Sequence, residues 1–460
     1  MAYRGQLVVV DPGGAPGEAV PASVDLAEDS LTIVPEHGEP IALAYVDVDD
    51  VFDDDHTLRL SDFAGRRYDL SMLGKAYGQV LADLRRLRID ALHHDLLLTG
   101  VELQDTFPAR VFPGGGGEPI PCEVRLFEDL MVVVPERGVM WGLPYSFVDQ
   151  VRFDEGLYQT HVATDDGTEH VFGMAGKRSQ KLPNELRRLL DALAARTART
   201  LRDLVSGPEP AVLSRLSARM RDGRAVQQRE VDAIAPGVWP RLVEAVVGTA
   251  ELRSSFDRLA SMCPPGWAAL GVKAVLTDDA DGGVPEQPEE TEQSAGAGAG
   301  EISLPPGAEG REAAECVAGD TEDETGRGRT VMWFFTPLAE GGTPVNAAAQ
   351  EITSERGHAT YMFRLMAPEQ FEAARVAGEA AVAGAVAEGV ARLNRALLTL
   401  NFRREPIYLT DEQIATGRYA KYRVALRKLD YLQWTRTAFL GRAIHNATWE
   451  QQLRDLVARA

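Results

Sequence analysis

Residues 1–204 alternate apolar and polar positions along most of their length, which predicts antiparallel strands. Segments 24–26 and 31–33 both show this period of two, and the polar pair Glu28-Asp29 between them predicts a hairpin tip. Further strands are predicted at 41–45, 57–60 and 67–71, and again at 139–143, 159–163 and 169–172. The chain therefore begins with two successive strand-rich segments.

Both strand-rich segments end in a helical pattern. Apolar residues then recur every three or four positions, which places them on one face of an amphipathic helix. These residues are Tyr77, Val80, Leu81, Leu84 and Leu87 in the first segment, and Leu182, Leu186, Leu189 and Leu193 in the second. A curled sheet leaves one end of its core open to water, so we expect each helix to cover that end.

The two segments are copies of each other at an offset of one hundred residues. Segment 24–38 matches 124–138, and the match continues through Tyr45 and Tyr145. About a dozen of roughly twenty-eight aligned positions are identical, far above chance. After a two-residue slip, Gly65 matches Gly167. The sequence therefore predicts one structural unit used twice.

A motif of the form Tyr-x-x-Val-Asp-x-Val lies at 45–51 and again at 145–151. Together with six or seven short strands and one closing helix, it resembles the pleckstrin-homology-like superfold, including bacterial and GRAM-type members. The resemblance implies two tandem β-barrels, at 1–98 and 99–204, each closed by its C-terminal helix. This superfold includes lipid, peptide and protein binders, so it does not specify a ligand.

Phosphoinositide-binding members of the superfold hold the headgroup with Lys and Arg on the first strand and the following loop. Phosphate recognition requires such convergent charge-assisted donors. The corresponding loops here, 11–18 and 113–118, contain glycine and acidic residues but neither Lys nor Arg. The sequence therefore does not favour phosphoinositide binding.

The remainder of the chain predicts an α+β multidomain protein. Apolar spacing predicts a helical connector at 205–265. Residues 329–460, to which 266–276 can also belong, predict a C-terminal α+β domain with a small antiparallel sheet and long helices. Its elements are a hairpin of strands at 346–353 and 358–366, a long helix at 368–400, a short helix capped by Thr410 and Gln413, a longer helix from Arg418, and a last helix opened at Thr448.

The formal net charge is −21, and most of it lies in one segment. Between 278 and 325 there are 15 acidic residues and one basic residue, Arg311, with few residues able to form a core. We expect 277–328 to be a disordered acidic linker between two domains. If 272–276 pairs with 331–335, it is instead an insertion within one domain. A spacer role and competition for a basic partner are both open.

Basic residues interleaved with aromatic residues occur between Arg403 and Arg442. The spacing predicts one apolar helical stripe, with the basic residues around the remaining circumference. The stripe consists of Tyr419, Tyr422, Leu426, Leu429, Leu440 and Ile444. Three interpretations are open: a solvated basic face, contact with an acidic segment including the chain's own, and nucleic-acid binding. The candidate binding residues are Arg418, Lys421, Arg423, Arg427 and Lys428.

Sequence motifs for catalysis, metal binding and cofactor binding are absent. The cysteines, Cys122, Cys263 and Cys316, are far apart and lack metal-ligand spacing. We therefore predict no catalytic residues, no metal and no cofactor. The sequence also lacks a membrane-length apolar run, which predicts no membrane span and a cytoplasmic location.

These features favour a non-catalytic cytoplasmic adaptor that binds protein partners or other copies of itself, through exposed sheet edges and the groove beside each closing helix. The alternatives are a hydrolase-like or nucleic-acid-directed activity in 329–460, with His358, Arg364 and Glu351 as residues to examine. The tandem units beside an acidic tract also resemble the arrangement in histone chaperones of the FACT type, which implies binding of basic proteins.

Overall fold

The computed structural model describes residues 2–96, 102–136, 140–173, 179–205, 207–248, 250–274, 330–338, 345–353, 359–400, 404–415 and 417–459. The predicted acidic segment 277–328 lies outside these residues, as do His358 and Arg403. The described residues form three antiparallel sheets and thirteen α-helices.

The first repeat unit is a seven-stranded antiparallel sheet followed by one helix. Its strand order is β4-β3-β2-β1-β7-β6-β5. Val80, Leu81 and Leu84 of the helix are buried in the core of this sheet, which confirms the predicted covering helix. The elements are β1 (Ala2–Val10), β2 (Val20–Leu26), β3 (Ser30–Pro35), β4 (Ile41–Ala44), β5 (Val48–Asp54), β6 (Thr57–Asp62), β7 (Arg67–Ser71) and α1 (Tyr77–Asp95).

The second repeat unit has the same topology. Its strand order, β11-β10-β9-β8-β14-β13-β12, reproduces the first order strand for strand, which confirms the predicted duplication. Leu182, Leu186 and Leu189 of its helix are buried in the core of the sheet. The elements are β8 (Leu103–Phe112), β9 (Ile120–Phe127), β10 (Leu130–Pro135), β11 (Trp141–Pro144), β12 (Val148–Asp154), β13 (Gln159–Thr164), β14 (Glu169–Gly173) and α2 (Lys181–Leu204).

Neither sheet closes into the expected barrel. In the first repeat unit, β4 and β5 lie at opposite ends of the strand order and do not pair with each other. The chain passes between them through a short 3-10 turn, Tyr45–Asp47. The Tyr45 hydroxyl donates to the carbonyl of Ala27 at 2.8 Å, and the Tyr45 amide donates to the carbonyl of Asp29 at 3.1 Å. These bonds hold the turn against the β2–β3 hairpin, so the two edges remain separate.

The segment predicted as a helical connector packs directly on the third sheet. It contains α3 (Pro210–Arg219), α4 (Gln228–Ile234), α5 (Val238–Val246) and α6 (Ala250–Ala260), with a short strand, β15 (Val226–Gln227). Strand β15 is the first strand of the third sheet. Trp239 and Phe256 share a core with Phe334 of that sheet.

The third sheet has the order β15-β16-β17-β18-β19-β20. The predicted hairpin of β18 and β19 is present, with Asn346 opposite Arg364. Val272 lies opposite Met332, so residues 275–329 connect two neighbouring strands of one sheet. The strands are β16 (Ala269–Ala274), β17 (Thr330–Leu338), β18 (Asn346–Thr353), β19 (Ala359–Arg364) and β20 (Phe439–Ile444).

The predicted long helix at 368–400 is wrong, because the chain forms two helices around Gly378. Gly378 has φ of 110° and ψ of 172°, a conformation open almost only to glycine. Gly389, by contrast, lies in a helix against Leu365, as close packing requires. The helices here are α7 (Pro368–Ala377), α8 (Glu379–Thr399), α9 (Glu405–Tyr408) and α10 (Asp411–Ala415), the last with the predicted Thr410 and Gln413 cap.

The predicted helix from Arg418 is also wrong, and its apolar stripe is not one helical face. A 3-10 turn (Gly417–Tyr422) is followed by α11 (Arg423–Lys428), α12 (Asp430–Ala438), strand β20 and α13 (Trp449–Arg459). Gly441 in β20 has φ of 150°, and a Cβ there would lie 2.3 Å from Leu456. Close packing of α13 on β20 therefore requires glycine where the sequence suggested a continuing helix.

Candidate partner-binding groove

A groove lies between the free edge of β4, the turn after β6 and the end of α11. No strand among the described residues pairs with the outer edge of β4. The groove encloses about 860 Å³, within the ~300–1,000 Å³ typical of ligand sites. We call it the β4 groove; it is lined by Ala42, Leu43, Ala44, Asp47, Asp49, Asp62, Phe63, Ala64, Arg427 and Lys428.

Basic residues of α11 dock onto the acidic corner of the first repeat unit. Lys428 Nζ lies 2.5 Å from Asp49 Oδ1 and 4.9 Å from the ring centre of Phe63. Arg423 lies 3.6 Å from Asp47. The Lys428 side chain is only 8% exposed, so this contact is part of the packing between the unit and the C-terminal region.

Arg427 differs from its neighbours. Its guanidinium lies 4.9 Å from the ring centre of Phe63, a cation–π contact, and the residue is exposed. Within the described part of the chain, no carboxylate lies within ion-pair distance of Arg427. The β4 groove therefore contains one guanidinium whose N–H donors face solvent.

The five predicted basic residues do not form one surface. Arg427 and Lys428 line the β4 groove and Arg423 lies beside it. Lys421 is exposed, 5.3 Å from the ring centre of Tyr422, and is not among the groove residues. The side chain of Arg418 lies outside the described residues. The sequence analysis did not place Phe63 or the predicted strand at 41–45 beside the basic residues, because their nearness to α11 depends on tertiary packing.

The same corner of the second repeat unit is filled by arginine residues of the chain. Arg395 pairs with Asp165 and, at 2.6 Å, with Asp166, and its guanidinium lies 4.8 Å from the ring centre of Phe147. Arg224 pairs with Asp149 at 2.8 Å. These contacts join the second repeat unit to α8 and to the turn before β15.

The pKa values of the two carboxyl groups that bind Arg395 are shifted in opposite directions. Burial raises the pKa of Asp165, although Arg395 and Arg224 oppose that rise. Burial also raises the pKa of Asp166, but hydrogen bonds from Thr164 and Thr168 and the charge of Arg395 outweigh it and lower the pKa to about 2. Asp166 is therefore ionised at neutral pH and holds the guanidinium as a charged pair.

The edge of the second repeat unit that corresponds to β4 is covered. Helix α8 packs against β11, and Met140 beside β11 lies in one core with Val390 and Leu393 of α8. Trp141 on this strand stacks on His170 with ring centres 4.7 Å apart. The two units therefore present the same edge in different states, open in the first and covered in the second.

The predicted groove beside each closing helix is bridged by arginine. Arg88 of α1 donates to the carbonyls of Val48 and Asp49 on the β5 edge, at 3.2 and 2.6 Å. Burial lowers the pKa of Arg88 from its ordinary value. Arg221 similarly donates to the carbonyl of Val148 on the β12 edge at 2.6 Å. Strand addition at these positions would have to displace bonded arginine residues.

The two cysteines among the described residues have raised pKa values. Burial raises the pKa of the Cys122 thiol to about 11 and that of Cys263 to about 12, so both are protonated and unreactive at neutral pH. His358 and the side chain of Glu351 lie outside the described residues, so the suggested cluster with Arg364 stays a prediction. No three potential metal ligands among the described residues converge on one point.

Every helix within the described ranges is too short or too polar to cross a lipid bilayer. No protein-family model and no curated protein sequence matches the chain.

Proposed function

We propose that this protein is a non-catalytic adaptor in which two pleckstrin-homology-like units are held by one C-terminal region, and that it binds protein partners at the β4 groove. The partner adds an extended segment to the free edge of β4, where main-chain hydrogen bonds supply affinity and groove side chains supply specificity. Self-association is the case in which that segment belongs to a second copy.

The observation that carries this proposal is the difference between two edges of the same type. Both repeat units have the same strand order, so β4 and β11 are equivalent edge strands. Helix α8 packs against β11, whereas β4 adjoins an open groove of about 860 Å³. Unpaired edges invite pairing with other chains, and proteins usually cover them. An uncovered edge beside a groove, next to a covered counterpart, supports a binding role for β4.

The test blocks the groove without disturbing the core. Ala42 on β4 is exposed and lines the groove, so Ala42→Trp fills it. Val34→Trp is the matched control, because Val34 is 40% exposed on neighbouring β3 and is not among the groove residues. The full-length chain should capture specific proteins, or form dimers in light scattering. Whichever of these two activities the chain shows should be lost in Ala42→Trp and kept in Val34→Trp; equal behaviour of the two variants would contradict the proposal.

A further inference from the structure

The shortness of β4 limits what main-chain pairing can contribute. The strand is four residues long, Ile41–Ala44. Only alternate residues of an antiparallel strand direct their backbone groups to a given side, so β4 offers few outward hydrogen bonds. Because the net contribution of each hydrogen bond is small, side-chain contacts must supply much of the affinity. This step, like the proposal that follows, depends on the proposed binding at the β4 groove.

The carboxylates of the groove already have partners. Asp49 pairs with Lys428, and Asp47 with Arg423. Asp62 accepts hydrogen bonds from the amides of Ala64 and Arg66, each at 2.9 Å, and from the Tyr68 hydroxyl at 3.1 Å. A basic ligand would have to displace these contacts, whereas the guanidinium of Arg427 can donate to a carboxylate without breaking an ion pair among the described residues.

The second repeat unit shows a related arrangement that includes carboxylates, although its ring, Phe147, corresponds in the repeat to Asp47 and not to Phe63. Arg395 stacks on Phe147 at 4.8 Å and pairs with Asp165 and Asp166. Arg427 stacks on Phe63 at 4.9 Å, which is nearly the same distance, but no carboxylate of the described residues lies within ion-pair distance of it.

The missing carboxylates can be located in the repeat. The turns after β6 and β13 contain the same backbone hydrogen bond. The amide of Gly65 donates to the carbonyl of Asp62, and the amide of Gly167 donates to the carbonyl of Thr164. At the positions of Asp165 and Asp166, the first repeat unit therefore has Phe63 and Ala64.

We propose that the partner segment bound at β4 carries an aspartate or glutamate that pairs with Arg427. That carboxylate completes between two molecules the arginine, aromatic and carboxylate arrangement that Arg395 forms within the chain. The occupant of the β4 groove is therefore an extended acidic peptide segment, and Arg427 determines its specificity. Two N–H donors of one guanidinium can bind a carboxylate side by side, which favours an acidic over an amide side chain.

The experiment selects binders from a random linear peptide library displayed on phage, using the full-length chain. The groove-dependent peptides are those that lose binding in Ala42→Trp and keep it in Val34→Trp. They should be enriched in Asp or Glu at one fixed position. Arg427→Gln should weaken these peptides about tenfold, the scale of one charge-assisted hydrogen bond. Lys421→Gln is the control, because it removes the same charge from an exposed residue that is not among the groove residues.

Replacing the enriched Asp or Glu of the peptide by Asn or Gln should weaken peptide binding to the wild-type chain. The same replacement should have little effect on peptide binding to Arg427→Gln. Selection on Arg427→Glu should instead enrich Lys or Arg at that position. Groove-dependent peptides without an acidic preference, or equal effects of Arg427→Gln and Lys421→Gln, would overturn the assignment of Arg427 and leave groove binding standing. If Ala42→Trp blocks no selected peptide, the binding site itself is wrong.

Discussion

Arg395 and Arg427 occupy corresponding corners of the two repeat units, and replacing each by methionine should have different consequences for stability. The Arg395 side chain is 27% exposed and its partner Asp165 is 11% exposed. Removing one partner of a buried pair costs about 3–5 kcal/mol. Arg224 stays 3.5 Å from Asp165 and part of the site is solvated, so we expect about 2 kcal/mol. Loss of the stacking on Phe147 adds about 0.5–1 kcal/mol.

Arg427→Met removes no ion pair among the described residues. Methionine can still pack on Phe63, so we expect a loss of about 0.5 kcal/mol or less in the free energy of unfolding. In a thermal melt, a cooperative unit of ~150–250 residues shifts by about 2–4 °C per kcal/mol. The melting temperature should therefore fall by about 5 °C or more in Arg395→Met and by less than about 2 °C in Arg427→Met.

Circular dichroism measures the melting temperature of both variants. Hydrogen exchange measures the local stability of β12–β14 in each. Hydrogen exchange is needed because a chain with several cores need not unfold in one step. Equal shifts for the two variants, or a larger shift for Arg427→Met, would refute the assignment of Arg395 to structure and Arg427 to binding.

Three further predictions concern stability. Gly378→Ala should destabilise the chain by about 1–3 kcal/mol, because only glycine adopts that backbone conformation readily. Gly384 lies in a helix, and a Cβ added there would have no neighbour within 4 Å, so Gly384→Ala should instead stabilise the chain by about 0.5–1 kcal/mol in a thermal melt. Tyr45→Phe should cost about 1 kcal/mol, since the Tyr45 hydroxyl is hydrogen-bonded. Tyr145→Phe should be neutral or stabilising, because the buried Tyr145 hydroxyl has no hydrogen-bond partner among the described residues; equal losses in chemical denaturation would contradict this contrast. The pKa of Asp166 is lowered to about 2, so the stabilisation by the ionised Asp166 carboxylate is present above about pH 4 and is lost as pH falls. Asp166→Asn should therefore flatten the fall in melting temperature between pH 4 and 2, and an unchanged pH profile would contradict this prediction.

The sequence predicted the repeated sheets because their signal is local. Alternation along 24–34 and 124–134 and the self-match at one hundred residues need no knowledge of tertiary contacts. The sequence also carries a local signal that distinguishes the two copies: 130–134 is continuously apolar, whereas 30–34 alternates over most of its length. A continuous run is typical of a strand buried on both faces, and β10 is buried on both faces.

The errors arose where packing outweighed local pattern. The segment around Leu440 has helical spacing, but it forms β20 because it pairs with β19 and packs under α13. The β4 groove depends on the approach of Arg427 to Phe63, residues far apart in the chain, which periodicity does not report. Basic composition identified Arg427 and Lys428, but only the structure separates the paired lysine from the arginine that has no carboxylate partner among the described residues.

Hydrogen exchange measured on the full-length chain with and without a groove-dependent peptide tests the central claim most directly. Strand pairing should slow exchange of the amides at Ile41–Ala44, while Trp141–Pro144, the covered equivalent in the second repeat unit, should not change. Unchanged exchange at β4 with saturating peptide, or protection confined to β5 or β11, would contradict the claim that partners bind at the free edge of the first repeat unit.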